Sequence, residues 1–196
     1  MGISSVKREI RIIGWDDAPF VFGDRKTILI GAVFRGGDFL DGIVTAEAAV
    51  DGTDATDRIA GAVNASPHRK QLRVIMLNGV TFGGFNVVDM EGLSRETGLP
   101  VIAVVRDKPD LSSMRKAMMR FPDWRKRWEL VRGAGPLNAL EFRDPKTGSI
   151  KKIWFQNRGI ETDTAEKVIR LSSTRSFLPE PLRVAHLIGH GIGGCR

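Results

Sequence analysis

The residues best suited to chemistry in this sequence are oxygen donors that follow short apolar runs. Asp16 and Asp17 come just after the run Glu9 to Gly14. Asp51 and Asp54 come just after Ile43 to Val50, and Asn78 comes just after Arg73 to Leu77. Runs of this length, rich in Val, Ile and Leu, read as strands. These donors therefore fall at strand ends. If the strands are neighbours, the groups converge at one end of a sheet. Carboxylates gathered in this way need a cation to hold them, and all-oxygen ligation favours Mg²⁺ or Mn²⁺. Such ions align a nucleophilic water and a leaving oxygen on a phosphodiester. An Asp that follows a strand also serves as a turn or helix-cap residue; the coincidence of three strand ends is what favours a site.

A glycine-rich loop runs from Asn78 to Asn86 and supplies the second set of candidates. Gly79, Phe82, Gly83, Gly84, Phe85 and Asn86 are expected to contact a substrate. A strand before the loop and a helical pattern after it, Val87 to Thr97, place the glycines at the carboxyl end of a strand, where α/β sheets build their sites. The loop lacks the Gly-Lys-Ser/Thr ending of a nucleotide-binding P-loop, which argues against an ATP site.

The elements that must carry these residues read as three consecutive strands, Glu9 to Gly14, Thr27 to Phe34 and Ile43 to Val50. They are joined by links that contain Gly23-Asp24-Arg25 and Gly36-Gly37-Asp38. Short polar glycine-bearing links suit antiparallel hairpins. A helix follows from about Asp54 to Asn64, then the strand Arg73 to Leu77, the loop and its helix, and a strand Val101 to Val105. Right-handed crossovers make those last two strands parallel. The remaining third reads as a helix, a hairpin of Leu140 to Phe142 with Lys152 to Phe155, and helices from Thr162 and Pro181. The expected fold is a mixed α/β sheet, antiparallel in its first half and parallel in its second, flanked by helices. No repeat or low-complexity linker divides residues 1 to 196, so one domain is expected.

Composition narrows the class. Hydrophobic residues make up 42% and charged residues 27%, which is ordinary for a soluble globular chain. The net charge of +7 favours an anionic partner, nucleic acid above all. The single cysteine, Cys195, allows no internal disulfide, and the first eight residues lack the apolar stretch of a signal peptide. A cytoplasmic protein is the expectation, and no apolar run is long enough for a membrane span. Between Arg115 and Arg132, seven basic residues surround Trp124 and Trp128. Such a stretch either binds nucleic acid, with indoles stacking on bases, or forms a helix whose Trp face packs on the core. His186 and His190 lie four apart on a helical pattern, without the Glu that a zinc-protease motif requires.

The segments Gly14-Trp-Asp-Asp-Ala-Pro-Phe20, Val50-Asp-Gly-Thr-Asp-Ala-Thr56, Asn78 to Asp89 and Leu178-Pro-Glu-Pro-Leu-Arg-Val-Ala-His-Leu-Ile188 resemble an archaeal protein family that is itself distantly similar to endonuclease V. That resemblance implies the ribonuclease H-like fold and a nuclease that acts near a modified base in DNA or RNA. It implies Asp16, Asp54 and Asn78 as catalytic and metal-binding positions, with Mg²⁺ or Mn²⁺ as cofactor. The chain departs from the endonuclease V pattern in three ways. Asn78 stands where the third carboxylate is expected, which removes one negative charge. The segment Gln156-Asn-Arg-Gly159 has no histidine where a supporting one is expected. The chain has no Tyr with which to build a lesion-probing wedge. Two further functions fit the same residues: a nucleic-acid-binding module without catalysis, and a binder of a phosphorylated small molecule through loop N–H groups.

Overall fold

The computed structural model describes residues 6–21, 23–143 and 148–193; Cys195 lies outside them. Three strands, β1 (Arg11–Asp17), β2 (Lys26–Arg35) and β3 (Phe39–Ala49), form an antiparallel meander. They are followed by α1 (Ala55–Ala65), β4 (Leu72–Asn78), a short hairpin of β5 (Thr81–Phe82) and β6 (Asn86–Val87), α2 (Met90–Thr97) and β7 (Val101–Val105). The chain continues through α3 (Leu111–Met118), α4 (Trp124–Gly133), β8 (Asn138–Arg143), β9 (Ile150–Arg158), α5 (Thr162–Ser172) and α6 (Glu180–Gly193). The main sheet has the order β3-β2-β1-β4-β7-β9-β8. β1 pairs antiparallel with β2 and parallel with β4, and β4 pairs parallel with β7, so the mixed sheet inferred from the sequence is observed; its second half is parallel only as far as β7, because β9 pairs antiparallel with both β7 and β8.

The central strands are apolar on both sides because helices cover both sheet faces. On one face, Ile13, Trp15, Ile75, Leu77 and Ala103 pack with Ile59 and Val63 of α1, Leu93 of α2 and Val131 of α4. On the other, Ile12, Val74, Met76, Ile102 and Val104 pack with Val168 and Ile169 of α5 and Leu182 of α6. Strand alternation sends successive side chains to opposite faces. Asp16 therefore belongs to the α5–α6 face and Asp17 to the α1–α2 face.

Three boundaries differ from the sequence reading, each for a physical reason. β1 extends to Asp17, so Asp16 and Asp17 lie within a strand rather than after it; their backbones pair with Ile30 and Leu29. β3 begins at Phe39 because its polar start is tied to two other strands: Asp41 accepts from Arg11 Nε at 2.9 Å and from Arg35 Nε at 3.1 Å. The helix expected from Val87 begins at Met90, since Gly83 (φ +50°) and Gly84 (φ +86°) take the left-handed conformations that turn β5 back onto β6. Asp89 then caps α2 by accepting from Gly92 N–H.

α6 crosses β1 at close range. A Cβ on Gly14 would lie 2.5 Å from the Pro181 carbonyl carbon and 2.8 Å from the Leu182 nitrogen. Both are backbone atoms, so they give way only if the helix moves. Gly14→Ala is expected to destabilise the protein by about 1–3 kcal/mol, a cost typical of overpacking. Thermal unfolding would show this as a Tm lowered by several degrees; an unchanged Tm would contradict this docking.

Candidate active site at the carboxyl end of the sheet

Asp16 is 4% exposed. Its Oδ1 accepts the Asp17 backbone N–H at 3.0 Å, and its Oδ2 lies 2.8 Å from His186 Nδ1. A carboxylate only accepts, so Nδ1 carries the hydrogen and the imidazole presents Nε2 away from Asp16. The His186 side chain is 42% exposed, against 5% for Asp16. A buried acid thus orients a half-exposed imidazole. The ring of His190, one helical turn on, lies tilted against that of His186 at 4.3 Å between centroids.

Asn78 joins this corner through sheet register. Trp15 pairs with Leu77, so Asn78 lies beside Asp16 one step further along the parallel strands. Alternation puts its side chain on the Asp16 face, since Val74 and Met76 point there. Asp17 faces the other way and accepts the Gly83 N–H at 2.7 Å. Burial pushes the Asp17 carboxyl above its ordinary range, the Gly83 N–H opposes that, and the neighbouring Asp16 charge raises it further. A cation beside the two acids would relieve their repulsion.

Asp54 serves a different structure. Its Oδ1 accepts from the Ala49 N–H at 3.0 Å and from Asn86 Nδ2 at 2.8 Å, and its Oδ2 pairs with Arg58 Nε at 3.0 Å. Asp16, Asn78 and His186 are not among its partners. Asn86 is fully buried and completes the bracket: its Oδ1 accepts the Ala55 N–H at the start of α1, and its Nδ2 also donates to Ala49 O. Phe82 is 1% exposed and belongs to the core. Phe82 and Asn86 are therefore withdrawn from the substrate surface on which the sequence placed them. Hydrophobic burial claims the first, and the capping of α1 claims the second. Gly83 is buried too, while Gly79, Gly84 and Phe85 stay partly accessible.

The Arg115 to Arg132 stretch divides in the same way. Trp124 and Trp128 pack against the core, as the amphipathic-helix reading requires. Arg127 is buried and staples α4 to the glycine loop, donating to Gly52 O at 2.9 Å, Phe85 O at 2.6 Å and Asp123 at 2.8 Å. Arg120 reaches Asp51 at 3.5 Å, and Asp51 in turn accepts the Phe85 N–H.

A cavity of about 400 Å³ opens beside Asn78 and Gly79, on the α3–α4 side of the sheet. Trp128, Trp154, Val105 and Met114 supply apolar walls, with Thr81, Gln156 and Arg132 as polar groups. Gln156 Nε2 donates to Gly135 O at 2.7 Å, which leaves its Oε1 to accept from a ligand. The volume suits a small flat ligand.

The residue that sequence reading missed is His186. The segment Gln156–Gly159 indeed has no histidine, yet one stands at Asp16, supplied from 170 positions away. The signal available beforehand was its helical spacing from His190, which by itself names no partner. Among the described residues, no group of three or more His, Cys, Asp or Glu side chains is placed to hold a metal ion. Any cation here would rest on Asp16 with the Asn78 amide oxygen, and would keep several waters.

Comparison with known proteins puts this corner in context. The family model described as endonuclease dU matches residues 8–193. A UPF0215 protein of Methanothermobacter thermautotrophicus is 51% identical over 189 residues, covering 95% of this chain and 89% of that protein. The crystal structure of a protein of unknown function from Archaeoglobus fulgidus superposes with a TM-score of 0.80 at 35% identity, covering 93% of this chain and 97% of that one. Ciona intestinalis endonuclease V, solved with a 24mer DNA containing an inosine followed by a ribo-adenosine, gives a TM-score of 0.57 at 14% identity, covering 89% and 82% respectively. At that identity the likeness establishes the fold, which is ribonuclease H-like. No helix among the described residues is long and apolar enough to cross a membrane.

The Asp54 bracket makes a pH-dependent contribution to stability. Burial alone would raise the Asp54 carboxyl, but bonds from Asn86, Arg58 and the Ala49 N–H outweigh it and hold the group below its ordinary 3.8. A depressed folded value stabilises above the unfolded value, and that stabilisation is lost as pH falls through the folded value. Asp54→Asn is expected to cost about 1–2 kcal/mol at pH 7, because its charge-assisted bonds are removed. Denaturation series at pH 7 and below pH 3 should show the penalty shrinking in acid; a penalty independent of pH would dismiss the charged bracket.

Proposed function

The chain belongs to the endonuclease dU family, and from the Asp16–His186–Asn78 corner we propose that it is a metal-dependent nucleic-acid hydrolase that cuts a phosphodiester near a deaminated base. The observation that carries this reading is the buried Asp16 carboxylate, at the end of a central strand, orienting an accessible imidazole. The dU of the family description and the inosine in the Ciona complex are both deaminated bases, so that class is the first to test. The cavity beside Gly79 suits such a base. Its aromatic walls would stack on the ring, and Gln156 Oε1 would accept a ring N–H that deamination creates.

The donor set fits a hard divalent cation of the kind that uses one or two carboxylates and completes its shell with water and substrate phosphate. Asp16 and the Asn78 amide oxygen would hold it, with His186 Nε2 kept for the proton. Bound Mg²⁺ or Mn²⁺ would neutralise charge at the scissile phosphate. The chain's own contribution is orientation. Asp16 fixes the His186 tautomer by taking Nδ1–H, and Nε2 then holds or accepts a proton at the reacting water. Asn78 adds an oxygen donor without a second charge, which weakens cation binding relative to a carboxylate. Asp54 acts here as scaffold.

The reading is tested by incubating labelled single-stranded and duplex DNA and RNA, with and without deoxyuridine or inosine, in Mg²⁺, Mn²⁺ or EDTA. Cleavage is expected only with metal. His186→Ala should slow it by about 10²–10⁴-fold, as loss of a general base does, and Asp16→Ala should abolish it. Binding without cleavage in every condition would instead favour a non-catalytic nucleic-acid module.

A second measurement addresses Asn78. Asn78→Asp restores a carboxylate beside Asp16 and is expected to tighten Mg²⁺ in a calorimetric titration. No gain in affinity would remove Asn78 from the cation site.

A further inference from the structure

A second cavity, of about 560 Å³, lies at the end of β7 and along β9. It is lined by Arg106, Asp107, Lys151, Lys152 and Ile153, and by the segment Arg175–Leu178 that leads into α6. Ile153 and Leu178 are buried beneath it, so its floor is rigid. Its cations are unevenly neutralised. Lys152 pairs with Glu141 at 2.9 Å, and Lys151 lies over the Phe177 ring at 5.3 Å. Arg106 and Arg175 are exposed and have no ion pair among the described residues. Asp107 is the acid in the lining. Two guanidinium groups without anions, beside Lys151, make a site for an anion, and guanidinium forks match phosphate oxygens well.

The groove also lies on the same face as the active corner. Asn78 pairs with Val104 of β7, and Arg106, just past the end of β7, lines the groove with Ile153 and Leu178 of the face that holds Ile102 and Val104. Sheet order leads from Asp16 on β1 through Asn78 on β4 and the end of β7, which Arg106 follows, to Lys151 at the start of β9. Arg106 stands two strand spacings of about 4.8 Å across the sheet and two residues further along it than Asp16, roughly 12 Å away. That is about three to four nucleotides of one strand at a rise of 3.4 Å. By contrast, the exposed arginines Arg115 and Arg125 flank the Trp124 ring on the opposite side of the sheet.

We propose that Arg106 and Arg175, with Lys151, form a backbone-phosphate track that grips the nucleic-acid strand a few nucleotides from the bond held at Asp16. This inference rests on nucleic acid being the ligand of the site, and not on that ligand being cut. The track meets phosphates, so it positions the strand and reads no sequence.

The test is equilibrium binding of a fluorescently labelled 20-nucleotide single strand to the full chain by anisotropy, in EDTA, across a salt series. The Arg106→Ala/Arg175→Ala double variant should bind about tenfold more weakly at low salt. Its log–log salt slope should fall by about 1.4, because each phosphate that is no longer neutralised on a single strand takes away roughly 0.7. The Arg106→Lys/Arg175→Lys variant should keep most of the slope. The Arg115→Ala/Arg125→Ala variant removes the same charge from the opposite side and should change the slope less. Equal effects from the two alanine pairs would overturn the track, since overall charge would then explain both. Displacement of the strand by millimolar mononucleotide as readily as by unlabelled oligonucleotide would overturn it too, as would failure of the unmodified chain to bind. A slope change confined to the groove pair, with no cleavage under any metal condition, would uphold the track while the hydrolase reading falls.

Discussion

The close seating of α6 on β1 is the interaction on which the candidate site depends. Gly14 leaves no room for a side chain beneath Pro181 and Leu182, and Gly189 meets the Asp17 and Ala18 backbone near 3.1 Å by the same measure. Held at both places, the helix has one rotation and one height over the strand. His186 lies between them and therefore meets Asp16. The dyad is a consequence of backbone proximity, which the side chains themselves do not enforce. At the entry to the helix, Glu180 is 3% exposed and held bidentately by Arg183, so the start of α6 is fixed by charge as well as by packing.

The other sheet face is organised around polar brackets instead. Asn86 and Asp54 together satisfy the Ala49 and Ala55 backbones, where β3 ends and α1 begins. Arg127 ties α4 to Gly52 and Phe85. Buried groups of this kind are costly unless every partner is present. That makes the glycine loop a rigid piece of the scaffold, although its composition suggests flexibility. The face then offers a preformed cavity beside Gly79, while the dyad and the cationic groove occupy the opposite one. Under the proposed function, base recognition and phosphate handling would be separated across a single sheet edge, with Asn78 and Gly79 at the boundary.

What could be read in advance follows from how local each signal is. β4 and β7 were visible because a strand buried on both faces is apolar throughout, and their parallel pairing follows from handed crossovers. The end of β1 was not, because Trp15-Asp-Asp17 looks like a turn until pairing with β2 supplies its hydrogen bonds. The two-strand hairpin at Gly83-Gly84 was hidden by the helical pattern after it. That Asp16 and Asn78 stand at the same end of the sheet was legible, since both terminate apolar runs. Asp54 carried the same signal with a different outcome, because its partner Asn86 is 32 residues away.

The sequence by itself determined the mixed α/β architecture, the positions of most elements and the presence of oxygen donors at the carboxyl end of the sheet. Periodicity and turn chemistry are short-range properties, and they are written in neighbouring residues. Tertiary structure alone decided which donors meet. It brought His186 to Asp16 across 170 residues, turned Asp54 and Asn86 into scaffold, buried Phe82 and left Arg106 and Arg175 facing an open groove. Those outcomes depend on how closely a helix approaches a strand and on which face each alternating side chain reaches, and both are set only once distant segments have packed.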